Sequence, residues 1–402
     1  MAVNLQAPNE LLAVKGVRLA AVHAGIRYKD RNDLVLMELA EGSQVAAAFT
    51  LNAFCAAPVT VAREHLKLAT PRYLLINAGN ANAGTGYPGL VAARQTCADV
   101  AKVTGCLANQ VLPFSTGVIG QALPVEKVAA ALPKALAELD ANHWLLAARA
   151  IMTTDTVMKA VSKQVTLSSG TITITGMAKG SGMIHPNMAT MLAYVATDAK
   201  VESSTLQDLL QDVVEASFNS ITVDGDTSTN DALVVAATGQ SGVEVSGSDV
   251  SIFADALREV CLYLAQAIVR DGEGATKFIS ISVDGARDKE EARVIGQTVA
   301  SSPLVKTAMF ASDPNWGRIL AAIGRSPLEA LDVSLVSIWL GQTLLIEKGE
   351  PAATYREELG QAEMKKAEIP VRIDMGRGSA STVIWTCDFS YDYVKINAEY
   401  RS

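Results

Sequence analysis

Three β-prone stretches in close succession constrain this chain more than any other feature of it. QVTLSSGTITITG (164–176) alternates β-branched and other residues on either side of Ser169-Gly170, the pattern of a hairpin. A Gly-rich segment, AKGSGMIHPNMAT (178–190), leads straight into a further apolar run, MLAYVATDA (191–199). A run that apolar buries itself, so the loop before it is held between two pieces of core. Glycines in such a loop permit backbone geometries closed to other residues, and loops of this kind hold strained functional positions.

The surrounding pattern predicts a mixed-sheet α/β architecture rather than a strict βαβ repeat. YLLIN (73–77) reads as a buried strand running into a Gly/Asn loop, and 276–284, 332–339, 369–375 and 380–388 read as further strands. Helical spacing predicts helices over 88–104 (stopping near Gly105), 125–139, 142–152 and 252–269, with a charged helix at 354–367. Residues 288–311 read as helical with a break at Pro303. Ser204 and Gln207 form a capping-box signature ahead of a helix whose apolar face is Leu206, Leu209, Leu210, Val213 and Val214. At 402 residues, two domains are expected. With 49% apolar but only 5% aromatic residues, the core must be built from Ala, Val, Leu and Ile, which suits close layered packing.

A net charge of −8 without a Lys/Arg stripe disfavours nucleic acid as a partner. Five scattered cysteines (Cys55, Cys97, Cys106, Cys261, Cys387), none in a CxxC pair, read as reduced thiols of a cytoplasmic protein, with no zinc site. No apolar run nears the ~20 residues needed to span a bilayer, and no signal peptide is evident, so a membrane role is not expected.

Thr190 stands where the Gly-rich loop meets the apolar run. A hydroxyl there could attack the preceding carbonyl, and hydrolysis of the resulting ester would leave Thr190 as a new N-terminus. An α-amino group has a pKa of about 7.7–8.0, so near neutral pH it can take the proton from its own hydroxyl, and no separate histidine is required. The plainer alternative is that Thr190 is a strand residue closing a loop. Ser115-Thr116-Gly117 can likewise be an ordinary turn, and Lys179 and Glu273 can be exposed loop charges.

The stretch around Thr190 resembles the self-cleavage signature of the ornithine acetyltransferase family, also called glutamate N-acetyltransferases. The segments INAGNANAGTG (76–86), FSTGVIG (114–120), IMTTDT (151–156), TVDGDTSTND (222–231), RDGEGATKF (270–278), SDPNWGRI (312–319) and YVKINAEYRS (393–402) resemble that family's blocks, in its order and over nearly the whole chain. The resemblance implies a layered mixed-sheet sandwich similar to the self-cleaving N-terminal-nucleophile-like fold, with a second α/β lobe. It implies cleavage between Ala189 and Thr190 into pieces 1–189 and 190–402 that stay folded together, paired as a tetramer of two of each.

The same resemblance makes Thr190 the nucleophile that carries the acetyl ester and Thr116 with Gly117 the oxyanion hole. It places substrate contacts on Thr153, Lys179, Thr190, Glu273, Asn397 and Ser402, with Thr154 one position from Thr153 as the alternative. These types suit the chemistry: a substrate α-carboxylate needs a fixed cation such as Lys179, and ornithine's side-chain ammonium a carboxylate such as Glu273. Asn397 and Ser402 require the tail to be docked, since termini usually fray. The implied reaction is ping-pong transfer of acetyl from N-acetylornithine to glutamate in arginine synthesis, with no metal or cofactor. Some members of that family also use acetyl-CoA as donor. Rival readings are an N-terminal-nucleophile amidohydrolase or aminopeptidase, and a non-catalytic amino-acid-binding protein.

Three further patterns offer other chemistry. Gly84-Thr-Gly86-Tyr-Pro-Gly89 matches a dinucleotide-binding GxGxxG, but a long loop separates it from the strand and Pro88 sits in the turn. Asp224, Asp226, Ser228 and Asn230 alternate like a calcium loop, yet Thr229 and Val235 stand where glycine and glutamate are needed. That loop is expected instead to brace the catalytic pocket by side-chain hydrogen bonds. His185, five residues before Thr190, is read as a loop histidine.

Overall fold

The computed structural model describes residues 2–185 and 191–399. They form two compact units, a larger one (Ala7–Asn219 with Asp226–Ile268) and a smaller one (Met1–Gln6, Ser220–Gly225 and Val269–Ser402).

The larger unit holds two sheets. β1 (Val17–Val22), β2 (Leu34–Leu39), β4 (Tyr73–Asn77) and β5 (Val111–Ser115) pair in the order β1-β2-β4-β5, with β4 and β5 parallel. The second sheet runs β3-β9-β8-β7-β6, from β3 (Gln44–Phe49), β6 (Lys159–Leu167), β7 (Gly170–Lys179), β8 (Leu192–Thr197) and β9 (Ala232–Ala237). β6 and β7 are the expected hairpin, paired from Lys159–Ala178 to Leu167–Gly170. β8 is buried at every position and lies between β7 and β9, which is why its sequence carries no polar alternation.

One face of the first sheet shares a core with the second: Leu74, Leu112 and Phe114 pack in one cluster with Met177, Tyr194 and Val234. Helices α1 (Ala57–Leu68) and α4 (Trp144–Ala150) add Val59 and Trp144 to that cluster. On its other face the first sheet packs Leu36, Leu75 and Val111 against α2 (Gly86–Thr104) and α3 (Val125–Ala137) through Cys97, Val100, Val128 and Leu132. α2 stops at Gly105, which adopts a left-handed φ of 79°. α5 (Ser203–Ala216) starts two residues earlier than a capping box on Ser204 implies. Its N-cap is Glu202 with no side-chain cap bond, so Ser204 is already inside the helix and the expected capping box is not made. Leu209 is only half-buried beside the buried Leu206, Leu210, Val213 and Val214. α6 (Asp249–Arg270) begins a turn before the expected Ile252.

The smaller unit is built on a six-stranded sheet, β13-β12-β11-β14-β10-β15, from β10 (Phe278–Ala286), β11 (Ser337–Leu340), β12 (Thr343–Glu347), β13 (Glu350–Pro351), β14 (Glu368–Asp374) and β15 (Ala380–Cys387). α7 (Lys289–Ala300), α8 (Pro303–Ala311) and α9 (Trp316–Gly324) cover it, with Ile295, Val299, Met309 and Ile323 packed on Ile281, Val283 and Ile373. The break at Pro303 falls as expected, with Ser302 capping α8. The strand expected over 332–339 begins only at Ser337, because the Asp332 side chain accepts from Ser334 N (3.0 Å) and closes a short turn. The charged helix is shorter than expected, α10 (Glu357–Met364), and α11 (Tyr391–Ala398) precedes the C-terminus. Among the described residues no helix is long and apolar enough to cross a membrane.

Candidate active site

In the larger unit the Thr116-Gly117 turn leaves the end of β5 and is held by a ladder of buried asparagines. Asn77, at the end of β4, donates its side-chain amide to Ser115 Oγ (2.6 Å) and accepts from Gly79 N (3.2 Å) and Asn80 N (3.0 Å). Its carbonyl takes the Thr116 N–H at 2.9 Å. Asn80 accepts from Asn82 N (2.7 Å) and donates to Ala122 O (3.1 Å), beyond the turn. An asparagine carries both donors and an acceptor, so alternate Asn residues can satisfy two backbone segments at once. Gly117 has φ +135°, and a Cβ there would lie 2.7 Å from Asn80 N and from the Gly79 carbonyl carbon. Only glycine fits that close approach.

Lys179 closes β7, buried to 6% exposure, and its ammonium donates to Thr116 Oγ1 at 3.2 Å. Behind it lies a carboxylate that sequence reading did not single out. Asp155, its side chain fully buried, accepts from Lys159 Nζ (2.6 Å), Gly180 N (2.7 Å) and Thr153 N (2.9 Å). Burial alone would raise its pKa, but the Lys159 and Lys179 ammoniums and the Gly180 N–H outweigh that and hold it well below the usual carboxylate range. Thr154 gives its hydroxyl to a 2.6 Å hydrogen bond with Ser181, whereas the Thr153 hydroxyl bonds to no described residue. Ala189 and Thr190 lie outside the described residues, as does Ser402. The chain returns at Met191, whose carbonyl accepts from Ala232 N (3.1 Å).

The loop after the calcium-like pattern turns its polar side chains onto the protein. Asn230 donates to Ala81 O (2.7 Å), inside the asparagine ladder, and Asn52 donates to Thr227 O (3.0 Å). These side-chain hydrogen bonds tie the loop to the asparagine ladder and to the segment around Asn52. Among the described residues no group of three His, Cys, Asp or Glu could hold a metal. In the GxGxxG match, a Cβ on Gly89 would fall 1.9 Å from Thr85 Oγ1 and 2.7 Å from Asn82 Oδ1. The space left by that glycine is filled by the chain itself rather than open to a pyrophosphate. His185 is half-buried and has interactions of its own.

In the smaller unit, Glu273 is 7% exposed and accepts from Asn397 Nδ2 at 2.9 Å, so α11 is docked on the turn that carries it. Ser390 Oγ donates to Gly274 O (2.6 Å), and Asp388 accepts from Thr276 N (2.8 Å) and Lys277 N (2.9 Å). Lys306, also missed in the sequence, is buried below: its ammonium donates to Thr386 Oγ1 (2.9 Å) and the Cys387 carbonyl, 4.5 Å from the Phe389 ring centroid. Burial lowers its pKa against the opposing pull of Cys387, Asp388 and Asp224, and burial pushes the Cys387 thiol up to about 11. The only sequence signals for these groups were an Asp155/Lys159 spacing of four and charges set inside apolar runs.

The structure thus brings Lys179 onto Thr116, beside Gly117, in one unit, and Asn397 onto Glu273 in the other. A profile of the ArgJ family matches residues 18–402. The chain is 55% identical to the arginine biosynthesis bifunctional protein ArgJ of Pseudomonas syringae pv. tomato over 406 residues, 100% of each chain. It is 54% identical to the protein of the same name from Methylococcus capsulatus, over 98% of this chain and 97% of that one. The crystal structure of arginine biosynthesis bifunctional protein argJ from Bacillus halodurans, 40% identical, matches with a TM-score of 0.50 over 52% of this chain and 99% of that one. On a profile match across nearly the whole sequence and full-length identity above one half, the chain belongs to the ArgJ family.

Proposed function

We propose that the protein is an acetyltransferase of arginine biosynthesis that moves the acetyl group of N-acetylornithine to glutamate through an ester on Thr190. Family membership supplies the reaction class. The observation that carries the assignment of parts is the Lys179 ammonium on Thr116 Oγ1 at the Gly117 turn, which sets a positive charge on the proposed oxyanion donor.

The peptide bond between Ala189 and Thr190 breaks first, giving pieces 1–189 and 190–402. Thr190 Oγ then attacks the acetyl carbon while its own α-amine accepts the hydroxyl proton. The Thr116 hydroxyl and Gly117 N–H donate to the oxyanion of the tetrahedral intermediate, interactions typically worth about 3–4 kcal/mol per donor. Ornithine departs with the proton, and glutamate's amine attacks the ester to release N-acetylglutamate and restore Thr190. Lys179 and the Thr153 hydroxyl are the proposed partners of substrate polar groups, and Glu273, Asn397 and Ser402 those of the ornithine end. Acetyl-CoA serves as a second acetyl donor to glutamate, in keeping with the bifunctional name of the relatives.

Two observations support cleavage. The Bacillus halodurans chain is matched over 99% of its length by 52% of this one, the proportion a piece of a cut chain would have. Here β8 and β9, which follow residue 190, are enclosed by β3 and β7, which precede it, so the pieces would remain one sheet. A cytoplasmic tetramer of two copies of each piece completes the proposal. Intact-mass measurement of the purified protein, with N-terminal sequencing and an assay of acetyl transfer from N-acetylornithine to glutamate, tests it. Two fragments, one starting at Thr190, and transfer rather than acetate release are expected. An active but unbroken chain would overturn the mechanism.

A further inference from the structure

Asp155 has no assigned part in the transfer, yet its carboxylate is fully buried and held by three hydrogen-bond donors. Its Oδ1 holds Lys159 Nζ (2.6 Å) and Gly180 N (2.7 Å), and its Oδ2 holds Thr153 N (2.9 Å). Gly180 directly follows Lys179, and Thr153 is the proposed substrate contact. One buried carboxylate therefore fixes both the end of β7 and the 153–155 turn. It also faces the Lys159 and Lys179 ammoniums, and the Lys179 ammonium donates to Thr116 Oγ1.

The chemistry of a hydroxyl gives that contact a direction. An ammonium is a donor only, so Thr116 Oγ1 must accept from it. The hydroxyl's own hydrogen is then turned elsewhere and is more strongly polarised, which makes it a better donor to a developing oxyanion. We infer that Asp155 is a positioning residue for the acetyl transfer: it sets the Lys179 ammonium on Thr116 so that the Thr116 hydroxyl is presented as an oxyanion donor. This rests on the proposed role of Thr116. It differs from a plain scaffold role because the effect of Asp155 on rate passes through the Thr116 hydroxyl.

A double-mutant cycle tests that dependence. Wild type, Asp155→Asn, Thr116→Val and the double variant are purified, and kcat for acetyl transfer from N-acetylornithine to glutamate is normalised to the cleaved fraction from intact mass. Thr116→Val is expected to lose roughly 100–1,000-fold in kcat, Asp155→Asn roughly 10–100-fold, and the double variant no more than about threefold beyond the worse single. Losses that multiply, or an Asp155→Asn enzyme with wild-type kcat, overturn the inference. Should Asp155→Asn not fold, Asp155→Asn with Lys159→Met removes the charge pair together and carries the same cycle. If neither gives a native thermal transition, or the folded variant never cleaves, the positioning role is withdrawn. A wild-type protein without transfer activity refutes the proposed function instead, so the two failures are distinguishable.

Discussion

Replacing Gly117 by alanine probes the turn on which the proposed oxyanion hole depends. The added Cβ would sit 2.7 Å from Asn80 N and the Gly79 carbonyl carbon and 2.9 Å from the Gly79 oxygen, all backbone atoms. The 77–80 segment cannot simply retreat. Ile26 lies behind Gly79, close enough that a Cβ on Gly79 would be 2.7 Å from its Cγ2. The Asn77 side chain also ties Gly79 N and Asn80 N in place. A φ of +135° costs an alanine about 1–3 kcal/mol, and forcing a methyl into packed backbone a further 1–3 kcal/mol or so. We expect Gly117→Ala to lose about 2–6 kcal/mol in urea unfolding followed through the buried Trp144. Acetyl transfer should fall by about 100-fold if the turn moves by around 1 Å. A variant within about 0.5 kcal/mol of wild type and with full activity would show that the turn is neither tight nor catalytic.

Thr190→Ala should abolish both cleavage and transfer, checked by denaturing gel and assay, because one hydroxyl serves both steps. Thr190→Ser should retain some cleavage but perturb transfer, since the lost methyl frees χ1; equal activity would refute that rotamer argument. Tyr194→Phe should leave stability unchanged or raise it by about 1 kcal/mol. The Tyr194 hydroxyl is buried without a hydrogen-bond partner among the described residues, and its ring edge packs on Phe114 at 5.3 Å. A clear loss in its melting curve would show that a buried water partners the hydroxyl. Asp155→Asn should cost about 3–5 kcal/mol at pH 7 by removing the buried carboxylate that pairs with Lys159 and faces Lys179. Because the folded carboxylate binds its proton less readily than the unfolded one, this contribution is full above about pH 4 and fades as pH falls through the lowered folded value. The wild-type advantage over Asp155→Asn in urea midpoints should therefore begin to narrow below about pH 4 and keep narrowing as pH falls further, and a gap that stayed constant down to about pH 2 would contradict it.

The strands that alternate or run apolar were legible because their pattern reflects a local period: the hairpin around Gly170, the fully buried β8 and the Pro303 break all appear where the residues put them. Element ends were less legible. Asp332 could extend a strand or close a turn, and only the hydrogen bond from Ser334 N decides it. The site was legible through motifs but not through its supports. The asparagines of 77–82 read as a loop, and their ties to Ser115, Thr116 and Ala122 connect segments nearly forty residues apart. Lys306 was hidden for the same reason, since its partners Thr386 and Cys387 are distant in sequence, and Asp155 was hidden because its spacing of four from Lys159 shows neither its burial nor its bond to Gly180 N.

The placement of β8 and β9 inside a sheet edged by β3 and β6 bears on the protein's ageing as well as its making. Under the proposed cleavage, the finished molecule is two polymers woven through one hydrogen-bonded surface, and neither can complete that surface alone. Unfolding then releases two molecules from one, so refolding becomes a second-order encounter whose success depends on concentration. The uncut precursor folds with its partner strands tethered, whereas the mature enzyme, once melted, has lost that tether. Heat inactivation should accordingly be less reversible after maturation than before it.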